Sequence, residues 1–217
     1  MKGVVFLTTT ARHGHVRTPA ALQRFLKKQP WPLAVATAEQ VHQPRVAVVP
    51  RLPRAKEYPG ADGLLTDVPG QPLGIFTADC VPIFLSAPAQ GVVGVLHAGW
   101  RGAQQRILAK ALRILWKRWR ARAQDISIVL GPAIGGCCFG VGWDVARYFP
   151  TSRRRRGSRW TVDLPQVIRH QAEALGIPRG HIRTDAACTR HTRKYFSYRR
   201  DKTEKRQASL IMKRKGD

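Results

Sequence analysis

Acidic side chains are scarce in this chain. Of its 217 residues, 13 are Asp or Glu against 38 Lys and Arg, which gives a formal net charge of +25 at pH 7. A protein this basic attracts polyanions. The sequence contains no helix-turn-helix pattern, RRM signature or zinc-finger spacing that would read a nucleic acid. We therefore expect non-specific, salt-sensitive binding to nucleic acid and no sequence-reading function.

Long apolar runs are also missing. No stretch is long and apolar enough to span a membrane, and residues 1–10 lack the apolar region of a signal peptide. Cysteine is limited to four residues, and adjacent Cys137 and Cys138 have Cα atoms about 3.8 Å apart, too close for ordinary disulfide geometry. We therefore expect a protein of the reducing cytoplasm, with no membrane partner.

Asparagine is absent altogether, while arginine is abundant. The simplest interpretation is the amino-acid usage of a GC-rich genome, so the charge alone does not indicate a function. The hydrophobic fraction of 43% suits a packed globular core. Because no internal repeat or shift in composition divides the chain, we expect residues 1–217 to form a single domain.

Residues 74–102 carry the clearest structural pattern. Two apolar runs, 81–85 and 92–96, have the length and the Val and Ile content of buried strands. Cys80 stands just before the first run and His97 closes the second, and a short turn lets the two strands lie side by side. We therefore expect Cys80 and His97 to be neighbours, either as a nucleophilic pair or as soft ligands for zinc.

The flanking segments predict a fold of alternating helices and strands. Residues 103–122 keep their apolar positions at helical spacing, with a basic stripe elsewhere on the helix surface, and are predicted to form one helix. The Pro-rich segment 50–60 and the Arg-rich segment 151–159 are interpreted as exposed loops. The alternation lacks the even rhythm of a barrel, so the predicted class is α/β.

A third candidate ligand, His42, follows Gln40 and Val41 in a separate segment. Two imidazoles and one thiolate, from His42, His97 and Cys80, would leave a tetrahedral zinc one open position, as catalytic sites do. Spacing alone is weak evidence, since a lone cysteine is more often a small buried residue.

Six short motifs occur in order along the chain. They are Gln40-Val41-His42, Ala61-Asp62-Gly63, Thr77-Ala78-Asp79-Cys80, His97-Ala98-Gly99-Trp100-Arg101-Gly102, Gly131-Pro132-x-Ile134-Gly135-x-Cys137-Cys138 and Phe196-Ser197-Tyr198-Arg199-Arg200-Asp201. Together they resemble the YfiH-like family, also called laccase-domain or polyphenol oxidase proteins, over roughly residues 35–212. The motifs at 77–80 and 97–102 are highly specific in combination.

The resemblance implies a fold, a metal and an activity. The fold is a single α/β (α+β) domain with mixed β-sheets sandwiched between helical layers, similar to the catalytic domain of cytotoxic necrotizing factor toxins. The metal is zinc, bound by His42, Cys80 and His97, with copper as the alternative ion. The activity is phosphorolysis of purine nucleosides (adenosine, inosine, guanosine and methylthioadenosine) together with deamination of adenosine.

The matching motifs also mark candidate site residues beside the metal ligands. The catalytic candidates are Cys80, His97, Asp79 and Arg101, and the substrate-binding candidates are Gln40, Asp62, Arg101 and Cys138. Asp79 either moves protons or caps backbone N–H groups at a turn. Arg101 either holds phosphate with its guanidinium fork or pairs with Asp62 or Asp79.

The chain departs from the family pattern outside the metal motifs. The Ser-Leu-Asn motif usual near the N-terminus is missing. The family's Cys-Cys-Tyr-Glu is Cys137-Cys138-Phe139-Gly140 here, and its Thr-Gly-Arg is replaced by Thr203-Glu204-Lys205-Arg206.

Three other functions compete with phosphorolysis. A hydrolase that edits peptidoglycan precursors could use Cys80 and His97 as its catalytic pair. A copper-dependent polyphenol oxidase of the multicopper type needs several His-x-His motifs, and this chain has seven histidines and one such motif, at residues 13–15. The third alternative is a non-enzymatic, basic polyanion-binding protein.

Overall fold

Three β-sheets and six α-helices make up the fold, in a computed structural model that describes residues 3–215 apart from the side chain of Pro19. The strands are β1 (Val4–Thr8), β2 (Ala36–Ala38), β3 (Val46–Val48), β4 (Lys56–Tyr58), β5 (Gly63–Thr66), β6 (Leu73–Thr77), β7 (Val81–Ala87), β8 (Val92–Ala98), β9 (Ser127–Leu130), β10 (Gly140–Val141), β11 (Arg153–Arg156), β12 (Arg159–Val162), β13 (Ile182–Thr184) and β14 (Gln207–Lys213). The helices are α1 (Pro19–Leu26), α2 (Trp100–Gln104), α3 (Ile107–Trp119), α4 (Trp143–Ala146), α5 (Leu164–Ala174) and α6 (Tyr198–Asp201).

Two large sheets stack face to face between helices. The six-stranded sheet has the order β13-β9-β7-β8-β5-β3, and the five-stranded sheet has the order β1-β14-β6-β2-β4. Apolar side chains of α2, α3 and α5 cover the outer face of the first sheet, and α1 covers the outer face of the second. A separate apolar cluster fills the space between the sheets. This arrangement confirms the predicted mixed sheets between helical layers.

The β7–β8 pair lies at the centre of the six-stranded sheet. Its strands are antiparallel, with Pro82 opposite His97 and Ala87 opposite Val92. Every residue of both strands is buried, and successive side chains of β7 alternate between the helix-facing core (Ile83) and the core between the sheets (Phe84). Burial on both faces explains why these strands are continuous apolar runs. The prediction that the two runs pair is confirmed.

The single helix predicted over residues 103–122 is wrong. The chain forms α2 and then α3, and Arg106 between them has a left-handed φ of 58°. Helical spacing could not show this break because Ile107, Leu108 and Leu115 of α3 alone carry the apolar stripe. The basic residues of the predicted stripe are exposed: Arg106, Lys110, Arg113, Lys117 and Arg120. Non-specific nucleic-acid binding at this stripe stays a prediction.

The two segments interpreted as exposed loops contain strands. Residues 153–162 form the hairpin β11–β12, and Gly157 in its two-residue turn has a φ of 59°, which favours glycine. Arg153 lies with its guanidinium carbon 4.6 Å from the centre of the Trp143 ring and 5.2 Å from that of Trp160. The second missed strand, β4, is an edge strand that pairs with β2 in parallel. Charge and proline content obscured both strands because their side chains are largely exposed.

None of the helices described here has the length and apolar character required to cross a bilayer. The cytoplasmic location expected from the sequence stays a prediction.

Candidate metal centre

Strand pairing gathers the predicted metal ligands at one end of the six-stranded sheet. Cys80 directly precedes β7 and His97 is the penultimate residue of β8, opposite Pro82. Asp62 directly precedes β5, whose first residue, Gly63, lies opposite Leu96. His42 comes from the loop between β2 and β3. The predicted proximity of Cys80 and His97 is therefore a consequence of sheet register.

Asp62 connects two of these ligands. Its carboxylate is buried and accepts a 2.7 Å hydrogen bond from Nδ1 of buried His97. The same carboxylate accepts backbone N–H bonds from His42 at 3.1 Å and from Gln43 at 3.0 Å. Because Nδ1 of His97 is occupied, Nε2 is the nitrogen left for a metal, which is the usual carboxylate–histidine arrangement at metal sites. Asp62 thus holds both the His97 ring and the His42 loop.

Gly99 provides the space in which Cys80 and His42 approach each other. A Cβ atom at position 99 would lie 3.1 Å from Sγ of Cys80 and 3.2 Å from Nδ1 of His42. The ring centres of His42 and His97 are 4.9 Å apart. The sulfur and the two imidazoles therefore border one small space.

The structure groups these donors somewhat differently from the predicted triad. Ligand atoms of His42, Asp62 and His97 all lie within 4.8 Å of one another, and Cys80 adjoins this group without belonging to it. Two imidazoles, a thiol and a carboxylate are nevertheless a donor set that suits zinc. The donor types suit a metal held by His42, His97 and Cys80 with Asp62 as a support, and binding of a metal by these residues stays a prediction.

The two histidines have opposite electrostatic surroundings. Burial alone would lower the pKa of His97, but the neighbouring Cys80 sulfur and the Asp62 carboxylate raise it to about 9. Partial burial lowers the pKa of His42, and the nearby charges of His97 and Arg101 act in the same direction. A metal binds neutral imidazole, so metal binding at neutral pH must displace the proton from His97.

Asp79 is fully engaged in hydrogen bonds. Its Oδ1 accepts a 2.6 Å bond from the Thr189 hydroxyl, and its Oδ2 accepts a 2.6 Å bond from the backbone N–H of Arg199. The residue is buried and has a left-handed φ of 92°. These contacts favour the capping interpretation, in which Asp79 anchors the turn before Cys80 to the C-terminal segment. Its catalytic role stays a prediction.

The side chain of Gln40 is equally committed to the backbone. Its amide bonds both the N–H and the C=O of Phe76, at 2.7 Å and 2.6 Å. Gln40 and His42 both adopt left-handed conformations, with φ of 67° and 61°. Non-glycine residues in this region carry strain, which the pair of bonds to β6 holds in place. Gln40 and Asp62 are therefore positioning residues, and their contacts to substrate stay predictions.

Arg101 follows the site at the start of α2 and is exposed. Its guanidinium carbon lies 4.4 Å from the centre of the Trp100 ring. In the part of the chain that the structure describes, it forms no ion pair with Asp62 or Asp79, whose carboxylates are engaged elsewhere. After burial and the charge of His97, the positive charges of Arg101 and Arg17 also lower the pKa of His42.

Several residues of this region were missed by the sequence analysis. Thr189 and Arg17 belong to segments without an evident signal, and the motif containing Arg199 gave no hint of its bond to Asp79. The remaining predicted residue, Cys138, lies in a different cluster, with Cys137, Cys188 and His191. Its substrate contact stays a prediction.

Comparison with known sequences shows which proteins this chain is similar to. A sequence-family profile described as multi-copper polyphenol oxidoreductase laccase matches residues 15–214. Purine nucleoside phosphorylase YlmD of Geobacillus stearothermophilus is 36% identical over 181 residues, which cover 76% of this chain and 66% of the relative. Purine nucleoside phosphorylase Rv2149c of Mycobacterium tuberculosis is 35% identical over 182 residues, which cover 82% of this chain and 71% of the relative. The chain thus matches about two thirds of the length of these relatives.

Two solved crystal structures have the same fold as this chain. The crystal structure of YlmD from Geobacillus stearothermophilus superposes with a TM-score of 0.89 at 31% identity, covering 99% of this chain and 93% of that one. The hypothetical protein YfiH of Bacillus licheniformis gives a TM-score of 0.86 at 27% identity, with 96% and 92% coverage. Since the profile extends over most of the chain and the fold agrees throughout, the chain belongs to the YfiH/laccase-like family.

Proposed function

We propose that this chain is a zinc-dependent purine nucleoside phosphorylase, with adenosine, inosine, guanosine and methylthioadenosine as substrates and a further adenosine deaminase activity. The observation that carries the proposal is the placement of His42, Cys80 and His97 around the space left by Gly99. Relatives of 31% to 36% identity that are named purine nucleoside phosphorylases support the choice of reaction.

The donor set determines what a bound metal can do. Two imidazoles and one thiolate satisfy three of the four positions of tetrahedral zinc and leave one for substrate or water. Zinc in such a site supplies Lewis acidity that polarises a substrate oxygen or lowers the pKa of water. Copper binds the same donors, so metal analysis of the purified protein is needed to identify the ion.

The chain's own residues prepare the site. Asp62 fixes the ring of His97 so that Nε2 points away from the carboxylate. Gln40 fastens the preceding loop to β6, and Asp62 holds the backbone of His42. Preorganised ligands of this kind lower the reorganisation needed when the substrate binds.

Phosphate is the expected co-substrate, and Arg101 is the proposed residue that binds it. As the purine leaves, positive charge develops on the ribose, and a phosphate dianion must approach C1′. A guanidinium fork matches two phosphate oxygens, and Arg101 is exposed at the start of α2, close enough for its charge to lower the pKa of His42.

Base release from inosine should therefore require phosphate, and Arg101→Ala should raise the KM for phosphate by about 10-fold or more, equivalent to the loss of a charge-assisted bond. The measurement is hypoxanthine release with and without phosphate. Arg113 is an exposed arginine on α3, so Arg113→Ala is the control and should leave the KM for phosphate unchanged. Phosphate-independent release would indicate a hydrolase, and an unchanged KM for phosphate in Arg101→Ala would remove Arg101 from this role.

The role of Asp79 in deamination is tested in the variant Asp79→Asn. The quantity measured is the ratio of ammonia release from adenosine to phosphorolysis of inosine. A proton-transfer role for Asp79 predicts that ammonia release falls by about 100-fold while phosphorolysis of inosine is retained. A purely positioning role predicts that both activities fall together, because the substitution weakens the bonds to Thr189 and Arg199. Full deamination in the variant would exclude proton transfer by Asp79.

A further inference from the structure

Three cysteines and one histidine form a second cluster that the proposed activity does not use. Sγ of Cys137 lies 3.5 Å from Sγ of Cys138 and 3.8 Å from Sγ of Cys188. Sγ of Cys138 lies 3.1 Å from Nε2 of His191. One donor atom from each of the four residues lies within 4.8 Å of all the others. All four side chains carry groups that bind soft metals.

Strand pairing brings the two halves of the cluster together. Cys137 and Cys138 follow β9, and Cys188 and His191 follow β13. These strands are parallel neighbours, with Leu130 opposite Thr184, so the chain leaves both at the same edge of the sheet. Parallel pairing then continues into the loops, where Ala133 pairs with Cys188. The cluster is therefore fixed by backbone hydrogen bonds and not by chance contact of side chains.

The sulfur distances match those of a tetrahedral metal site. Zinc at about 2.3 Å from sulfur and about 2.0–2.1 Å from nitrogen places tetrahedral donors about 3.8 Å apart for two sulfurs and about 3.5 Å apart for sulfur and nitrogen. The observed contacts of Cys137 with Cys138 and Cys188, at 3.5 Å and 3.8 Å, lie close to the first value. The distance of 3.1 Å between Cys138 and His191 is slightly shorter than the second.

Gly135 supports the same interpretation. Its backbone N–H donates to Sγ of Cys188 at 3.3 Å, a contact that stabilises a thiolate. A Cβ atom at position 135 would lie 3.3 Å from Sγ of Cys137, closer than ordinary van der Waals contact. The backbone of the loop at Gly135 therefore lies close to the sulfurs of Cys137 and Cys188, with no side chain between them. Cys137 and His191 are exposed, which gives an ion a path from solvent.

We propose that Cys137, Cys138, Cys188 and His191 bind a second zinc ion, in a closed structural site that joins the loop after β9 to the loop after β13. Four protein ligands leave no open position, which distinguishes this site from the His42–Cys80–His97 centre. The proposal assigns Cys138 a ligand role in place of the substrate contact expected from the sequence.

The second site has a direct connection to the first. Thr189, next to the ligand Cys188, donates to Asp79, and Asp79 precedes Cys80. A zinc ion that fixes the 188–191 loop therefore also fixes the hydroxyl that holds Asp79. The site stabilises this part of the fold whichever reaction the chain performs, so it does not depend on the proposed function.

A disulfide is the principal alternative use of these sulfurs. Cys137 and Cys188 could be oxidised to a disulfide, with loss of two thiol protons and two electrons to an external oxidant, after their sulfurs move from 3.8 Å to bonding distance. That bond would use two of the four clustered side chains and would not include Cys138 and His191. All four cysteines are free thiols in the structure, and zinc binding uses every member of the cluster.

Zinc content per chain tests the proposal. Protein purified under reducing conditions should contain about two zinc ions, and His97→Ala should contain one. Cys137→Ser and His191→Ala, which alter exposed residues, should each also reduce the content to about one, with a lower thermal midpoint. The combination of His97→Ala with Cys137→Ser should contain none. If the protein did not catalyse phosphorolysis, these zinc contents would be unchanged, because metal binding at the two sites does not depend on turnover.

Cobalt absorption provides a second measurement, which detects thiolate ligands directly. Co²⁺ added to zinc-free His97→Ala should give an intense thiolate-to-cobalt charge-transfer band and tetrahedral d–d bands, and the same variant carrying Cys137→Ser should lose most of this absorption. Zinc content in His191→Ala and Cys137→Ser equal to that of the unmodified protein would overturn the proposal. So would a Cys137–Cys188 disulfide in freshly isolated protein, or a cobalt spectrum without thiolate bands.

Discussion

Replacement of Cys80 by alanine is expected to empty the His42–Cys80–His97 centre and to slow phosphorolysis of inosine by about 1,000-fold. Loss of the thiolate leaves two imidazoles, which hold zinc too weakly to keep it through purification. A bound metal contributes several kcal/mol to transition-state stabilisation, and about 4 kcal/mol corresponds to that factor. The measurements are zinc content and kcat/KM for inosine at saturating phosphate.

Ser86→Ala, on strand β7, which begins directly after Cys80, is the control variant. The Ser86 hydroxyl is buried and has no hydrogen-bond partner among residues 3–215, so its removal should leave zinc content, activity and stability nearly unchanged. If Cys80→Ala kept the full zinc content of the unmodified protein, the assignment of Cys80 as a ligand would be wrong. If it lost zinc without losing activity, the centre would be structural.

Replacement of Asp62 by alanine is expected to have the largest effect on stability. Removal of one partner from a buried pair costs about 3–5 kcal/mol, and here two backbone N–H groups also lose their acceptor. For a chain of this size the thermal midpoint should fall by about 6–20 °C. Loss of the bond to His97 should also weaken zinc binding by about 10–100-fold. Thermal unfolding and competition with a chelator measure the two effects.

Asp62→Asn separates the two roles of this residue. The amide oxygen can still accept a backbone N–H bond, so stability should recover in part, whereas the loss of negative charge beside His97 should keep zinc binding weak. Asp144→Asn, an exposed aspartate in α4, should change neither quantity. Unfolding of Asp62→Ala at the unmodified midpoint would contradict the geometry described for this carboxylate.

The sequence was sufficient to predict the central part of the fold and the proximity of Cys80 and His97. The apolar runs of β7 and β8 are visible because both faces of these strands are buried, and the register of the pair then places Cys80 near His97. The motif containing His42 indicated a third candidate ligand that no periodicity would have found. Direct contact between these donors and a metal stays a prediction.

Other features could not be predicted because they depend on contacts between distant segments. The role of Asp62 as a support for His97 arises from the register of β5 against β8. The bond from Thr189 to Asp79 spans 110 residues, and the Cys137 and Cys188 contact spans 51. The break at Arg106 depends on a single left-handed residue, which neither charge nor helical spacing reveals. Local sequence patterns therefore predicted the central strands better than the contacts between distant segments.

Glycine is needed at position 99 because of the neighbouring side chains and not because of its own backbone conformation. Its φ of −74° and ψ of −179° are accessible to any amino acid, so the backbone itself does not require glycine. The requirement comes from the thiol and imidazole that a methyl group would meet at 3.1 Å and 3.2 Å. Alanine at position 99 would keep the backbone conformation but would displace the thiol of Cys80 or the ring of His42, so the glycine reserves the space that the candidate centre occupies.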